Sequence, residues 1–71
     1  MRMEIVKKVK EYCVHELDSI TRFGYDPQAC VTRCYGAVMF VLTLGEEYDE
    51  ELAHWWDDEM LPKFRELQVR G

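Results

Sequence analysis

The sequence predicts an all-α protein, a three-helix unit that forms a single helical domain over residues 1–71. Apolar residues in two long segments recur every three or four positions, as they do on one face of an α-helix. Residues that commonly begin or end helices lie between the periodic segments. A length of 71 residues corresponds to one domain, and a hydrophobic content of 48% excludes a disordered chain. The predicted helices lie near residues 3–23, 27–44 and 49–69.

The first predicted helix has one apolar stripe and one charged side. Gly24 follows it directly, as suits a residue that closes a helix in the left-handed conformation. Glu16 is the only charge within the stripe, and a buried carboxylate without a partner is unfavourable. We therefore expect Glu16 to pair with a cation such as Arg33 or to lie at the stripe's edge. The stripe consists of Ile5, Val6, Val9, Tyr12, Cys13, Leu17, Ile20 and Phe23.

The second predicted helix has a start signal and a stop signal. Asp26 is suited to the N-cap position, and Pro27 loses no hydrogen bond at the first helical position. The helix then runs to residue 44, where Gly45 ends it. A buried strand over residues 37–44 is the alternative, because valines favour strands. We prefer the helix, since a single strand has no sheet to join.

The third predicted helix begins at Asp49, whose carboxylate is suited to capping the first amide groups. Its apolar stripe keeps its phase across Pro62, so we expect one helix that is kinked at Pro62. A break into two helices at Leu61 is the alternative. The stripe consists of Leu52, Ala53, Trp56, Met60, Phe64 and Leu67.

The second helix differs from the other two because its apolar residues lie all the way round. One side is predicted to form the core with the other helices. The other side is predicted to bind a second copy of the chain, which gives a dimer and a larger helical bundle. The alternative is that the third helix covers this side within one chain. The predicted self-association surface consists of Ala29, Thr32, Gly36, Met39, Phe40 and Thr43.

Composition and charge exclude several classes of function. The net charge is −5 and the pI is about 4.9, so phosphate backbones would repel the chain and direct nucleic-acid binding is not expected. The longest apolar run, residues 36–44, is far shorter than the roughly 20 residues of a membrane span. Lysines precede any apolar run, so we expect no signal peptide, no membrane partner and a cytoplasmic location.

Two groups of potential metal ligands occur in the sequence, and neither is complete. Three thiols would need a fourth ligand to bind zinc, and both histidines lie on the polar sides of their helices. Glu51 and His54 have the spacing found in di-iron bundles, but together with Asp58 they lie opposite the apolar stripe. We expect the cysteines to be core residues and the acidic side to be solvated. The thiols belong to Cys13, Cys30 and Cys34, and the histidines are His15 and His54.

The sequence contains no Ser/His/Asp set and no glycine-rich phosphate loop. We therefore predict no catalytic, metal-binding or cofactor-binding residue, and we expect a non-enzymatic protein–protein interaction or regulatory module. Two alternatives remain. An acidic decoy would mimic nucleic acid with the carboxylates of residues 46–51 and 57–59, and a metal-dependent helical-bundle enzyme would add Glu16 to the acidic side of the third helix. The predicted partner surface consists of Trp55, Glu51, His54 and Asp58.

Overall fold

The computed structural model describes residues 2–44 and 49–70, which form three helices and contain no strand. This confirms the all-α prediction and the preferred helix, and the alternative of a strand over residues 37–44 is wrong. Helix α3 is helical throughout residues 50–70, although its central turns are π-helical rather than α-helical. Helix α1 comprises Arg2–Phe23, helix α2 comprises Pro27–Leu44, and helix α3 comprises the consecutive segments Glu50–His54, Trp55–Met60 and Leu61–Arg70.

The turn between α1 and α2 lies at the residues where the sequence predicts it. Gly24 has a φ of 74°, and its N–H donates to the carbonyl of Ile20 at 3.1 Å, so it closes the last turn of α1. Helix α2 begins at Pro27, and the carbonyl of Asp26 accepts a hydrogen bond from the N–H of Cys30 at 3.1 Å. Both predicted boundaries are confirmed. The predicted stop at Gly45 lies outside the described residues.

Helix α3 begins at the predicted cap, but its irregular segment is not at Pro62, where the kink was expected. The Asp49 carboxylate accepts a hydrogen bond from the N–H of Leu52 at 3.0 Å. The irregularity is the π-helical segment Trp55–Met60, in which the N–H of Leu61 donates to the carbonyl of Trp56, five residues earlier. It therefore begins before Pro62 rather than at it. The alternative of a break at Leu61 is wrong.

The core lies where the three helices meet. Its residues are Val9, Cys13, Cys30, Val31, Cys34, Val38, Val41, Leu42, Leu52, Trp56, Met60 and Phe64. The buried part of the α1 stripe is narrower than predicted, because Ile5, Tyr12 and Phe23 are between 41% and 65% exposed. Two of these residues, Ile5 and Phe23, lie near the ends of α1.

The molecule is too thin to enclose its middle helix. Its Cα atoms span 38 × 19 × 15 Å, and the axes of packed helices are about 8–10 Å apart. The two shorter dimensions therefore hold about two layers of helix. Helix α2 packs against α1 and α3 on one side, and its opposite side faces solvent.

Candidate functional site

The outward side of α2, which we call the outer face, is apolar and open. Phe40 is 64% exposed, Tyr35 is 52% exposed and Met39 is 38% exposed. The alternative in which the third helix covers this side within one chain is wrong. The outer face consists of Ala29, Thr32, Tyr35, Gly36, Met39, Phe40 and Thr43, of which Ala29 is half-buried and the others are exposed.

The two threonine hydroxyls on the outer face are already bonded to carbonyls of their own helix. The hydroxyl of Thr32 donates to the carbonyl of Gln28 at 2.8 Å, and the hydroxyl of Thr43 donates to the carbonyl of Phe40 at 2.9 Å. Covering these threonines would therefore leave neither hydroxyl without a partner, which removes the main penalty for burying them.

A second surface could also approach the backbone of α2 closely at the outer face. A Cβ added at Gly36 would meet no heavy atom of the described residues within 4 Å, so packing within the chain does not explain a glycine here. The sequence from residue 27 to residue 44 contains one charged residue, Arg33, and none of the 14 carboxylates of the chain. A second apolar surface could reach the backbone of α2 without meeting an acidic side chain.

A partly buried ion pair joins α1 to α2: Glu16 is buried, whereas the side chain of Arg33 is 47% exposed. The Glu16 side chain accepts a hydrogen bond from Nε of Arg33 at 2.5 Å and another from the hydroxyl of Tyr12 at 3.1 Å. The predicted pairing of Glu16 with Arg33 is confirmed. The hydrogen bond from Arg33 is the main cause that holds the pKa of the Glu16 carboxyl below its usual value, and burial of that carboxyl acts in the opposite direction.

The three cysteines are free, fully buried members of the core, as predicted. Cys30 lies beside the ion pair, with its Sγ 3.3 Å from Nη2 of Arg33 and 3.8 Å from Oε2 of Glu16. Burial raises the pKa of the Cys30 thiol, which favours the protonated form. Within the described residues, no group of three or more His, Cys, Asp or Glu side chains is placed to hold a metal ion.

A groove of about 700 Å³ runs between α1 and the start of α3. The half-buried Trp55 forms part of its wall, and Nζ of Lys10 lies 5.4 Å from the centre of the indole ring. Cationic and acidic side chains both border the groove, so its charge is mixed. It is lined by Met3, Val6, Lys7, Lys10, Glu11, Val14, His15, Asp49, Glu51 and Trp55.

The structure divides the predicted partner surface into two parts. Glu51 and Trp55 line the groove. His54 and Asp58 lie outside it, with Nδ1 and Oδ2 3.5 Å apart and both side chains more than 70% exposed. The carboxylates at residues 50, 51 and 57–59 are exposed, which agrees with a solvated acidic side. The predicted decoy residues 46–48 lie outside the described residues.

The predicted self-association surface left out two exposed residues, Tyr35 on the outer face and Leu44 beside it. Tyr35 is 52% exposed although its ring lies 6.3 Å from the ring of Trp56, so it reaches both the core and the outer face. Its position three residues after Thr32 and four before Met39 was the available signal. Leu44, the last residue of α2, is 54% exposed beside that face.

Comparison with known proteins gives no relative: the chain matches no protein-family model, no curated protein and no solved structure. Among the described residues, no helix is long and apolar enough to cross a membrane.

Proposed function

We propose that this chain is a small non-enzymatic interaction or regulatory module that self-associates through the outer face of α2. The observation that carries the proposal is the exposure of Tyr35, Met39 and Phe40 on a helix face that has no carboxylate. Contiguous apolar surface of this kind commonly marks a protein-binding site. The three unpaired thiols suit the reducing conditions of the cytoplasm, where we propose that the module acts.

The size of the outer face sets the expected strength of self-association. Helix α2 has 18 residues and is about 27 Å long, so a strip one helix diameter wide offers roughly 300 Å². Each partner in a standard interface buries about 800 Å². Neighbouring side chains on α1 and α3 would add to the contact. We therefore expect association at micromolar concentrations rather than at nanomolar ones.

Light scattering coupled to size-exclusion chromatography tests the proposal. The mass should rise from that of a monomer toward that of a dimer as the concentration increases from about 1 µM to about 500 µM. Gly36→Leu and Phe40→Glu should each shift this transition to higher concentration. Circular dichroism should show that both variants remain helical, because leucine favours helices more than glycine does and Phe40 is exposed.

The chain provides a matched control for the Phe40 substitution. Phe23 is 65% exposed, almost the same as Phe40 at 64%, but it lies at the end of α1. Phe23→Glu introduces the same charge and should leave the mass transition unchanged. A wild-type protein that remains monomeric at the highest concentration, or equal effects of the two substitutions, would contradict the proposal.

The groove at Trp55 supports a second, heterotypic surface on the same module. Its volume of about 700 Å³ and partly exposed indole ring suit an apolar side chain from another protein. Trp55→Ala should weaken binding of any isolated partner, whereas His54→Ala should leave it unchanged because His54 lies outside the groove. The reverse result would place the partner on the acidic side of α3.

A further inference from the structure

We infer that two copies of the chain pair with their α2 helices antiparallel, related by a two-fold axis near Gly36. The inference rests on the proposed self-association and adds the geometry of the partner. Gly36 is the tenth of the 18 residues of α2, so it lies at the middle of the helix. It is also the position where an approaching backbone meets no side chain.

Charge explains why a second copy of this chain suits the outer face. The chain has 14 acidic residues and a net charge of −5, so two copies repel each other over most of their surfaces. Helix α2 contains none of these acidic residues. It is therefore the helix along which two copies can meet without bringing carboxylates together. Repulsion between the acidic residues elsewhere disfavours other sites of contact between two copies.

The spacing along α2 gives the outer face a straight seam. Alternating steps of three and four residues lead through Ala29, Thr32, Gly36, Met39 and Thr43. This is the spacing that keeps one row of side chains facing a partner helix at a small crossing angle. The seam spans most of the helix, so contact is not confined to a single crossing point.

The sizes of the side chains select the antiparallel direction. On the outer face, Ala29 and Thr32 toward the N-terminal end of α2 are small, whereas Met39 and Phe40 toward its C-terminal end are large. An antiparallel pair places the small half of each helix against the large half of its partner. A parallel pair would place Phe40 against the partner's Phe40 and leave a gap at the other end. Close packing favours the antiparallel pair, in which the helix dipoles also oppose each other.

Two cysteine substitutions at the ends of the seam distinguish the directions. In an antiparallel pair, position 29 of one copy lies near position 43 of the other, while two copies of position 29 are about 21 Å apart along the axis. A thiol crosslinker that spans about 10 Å should therefore join A29C to T43C in a mixture. It should join neither variant to itself. The wild-type protein measures the background from its three native thiols, which are fully buried.

The crosslinked products are measured on denaturing gels, with circular dichroism to confirm the fold of each variant. The mixture should give at least about five times more crosslinked dimer than either variant alone, because only it brings two reactive thiols within reach. Strong crosslinking of each variant to itself indicates a parallel pair and overturns this inference alone. A dimeric mass without crosslinks in any sample also overturns it, since the outer faces then do not meet. A monomeric wild-type mass at high concentration instead refutes the proposed self-association.

Discussion

Adjacent tryptophans on α3 provide a direct test of the core. Trp56 is 3% exposed, and the centres of the Tyr35 and Phe64 rings lie 6.3 Å and 5.9 Å from its own. A buried tryptophan removes about 200 Å² from water, which corresponds to about 5 kcal/mol at 25 cal/mol per Å². Trp56→Ala should therefore lower the free energy of unfolding by about 3–5 kcal/mol.

That loss is large for so short a chain. A domain of 71 residues has an expected unfolding free energy of about 4–11 kcal/mol, from the usual value per residue. Trp56→Ala should therefore remove between about a quarter and all of the stability. Trp56→Phe keeps an aromatic ring between its two neighbours and should lose distinctly less.

Trp55→Ala is the matched comparison, because the same side chain is removed one residue away. Trp55 is half-buried, and its contact with Lys10 is partly exposed. We expect a loss of about 1–2 kcal/mol, part of it from the cation–π contact. Urea unfolding should be followed by circular dichroism, because each substitution removes a fluorophore. The protein concentration must be fixed, since association stabilises the folded state.

The reasoning would be refuted if the two alanine variants lost the same stability, because that would make Trp55 as much a core residue as Trp56. A loss of less than about 1 kcal/mol in Trp56→Ala would also refute it. Either result would mean that Trp55 in the groove and Trp56 in the core do not lie in different environments.

The remaining predictions concern pH and metal binding. Arg33 lowers the pKa of Glu16, so their pair stabilises the fold above the pKa of an unfolded glutamate, about 4.3, and this contribution is lost as pH falls through the lower folded value. In urea titrations, Arg33→Met should differ from wild type most at neutral pH and least in acid. Arg22→Met, which removes an exposed pair with Asp18, should follow wild type throughout. Elemental analysis of protein purified without chelator should find well under one equivalent of zinc, iron or manganese per chain; a full equivalent lost in Cys34→Ala or His54→Ala would contradict this.

The helix boundaries could be predicted because they depend on local chemistry. A glycine that adopts a positive φ, a proline at the first helical position and an aspartate cap act within a few residues of themselves. Gly24, Pro27 and Asp49 therefore mark the same boundaries in the sequence and in the structure. The Glu16 pair could also be predicted, because a carboxylate within an apolar stripe needs a cation and Arg33 is the cation that the neighbouring helix offers.

The π-helical segment could not be predicted from Pro62 alone, but its cause is visible in the core spacing. Leu52, Trp56, Met60 and Phe64 are each four residues apart, and none is more than 3% exposed. In an α-helix, each step of four residues drifts by about 40° around the axis, so three steps would carry the last residue about 120° from the first. A π-helical stretch closes its hydrogen bonds one residue later and turns less per residue, which offsets this drift. The same stretch places the irregularity just before a proline that cannot donate a hydrogen bond.

Gly36 connects the fold to the proposed interaction. A glycine within a helix costs about 1 kcal/mol relative to alanine, and the described part of the chain leaves open space where a Cβ would lie. Gly36→Ala should therefore raise the free energy of unfolding by about 0.4–1 kcal/mol when the protein is dilute and monomeric. If two α2 backbones approach at this residue, the added methyl group should separate them and weaken the dimer. Urea unfolding should then show that the dilute variant is more stable than wild type. Mass measurements should show that the concentrated variant forms less dimer than wild type. An equal gain in stability at all concentrations would leave the glycine without a role in self-association and would count against the antiparallel pair.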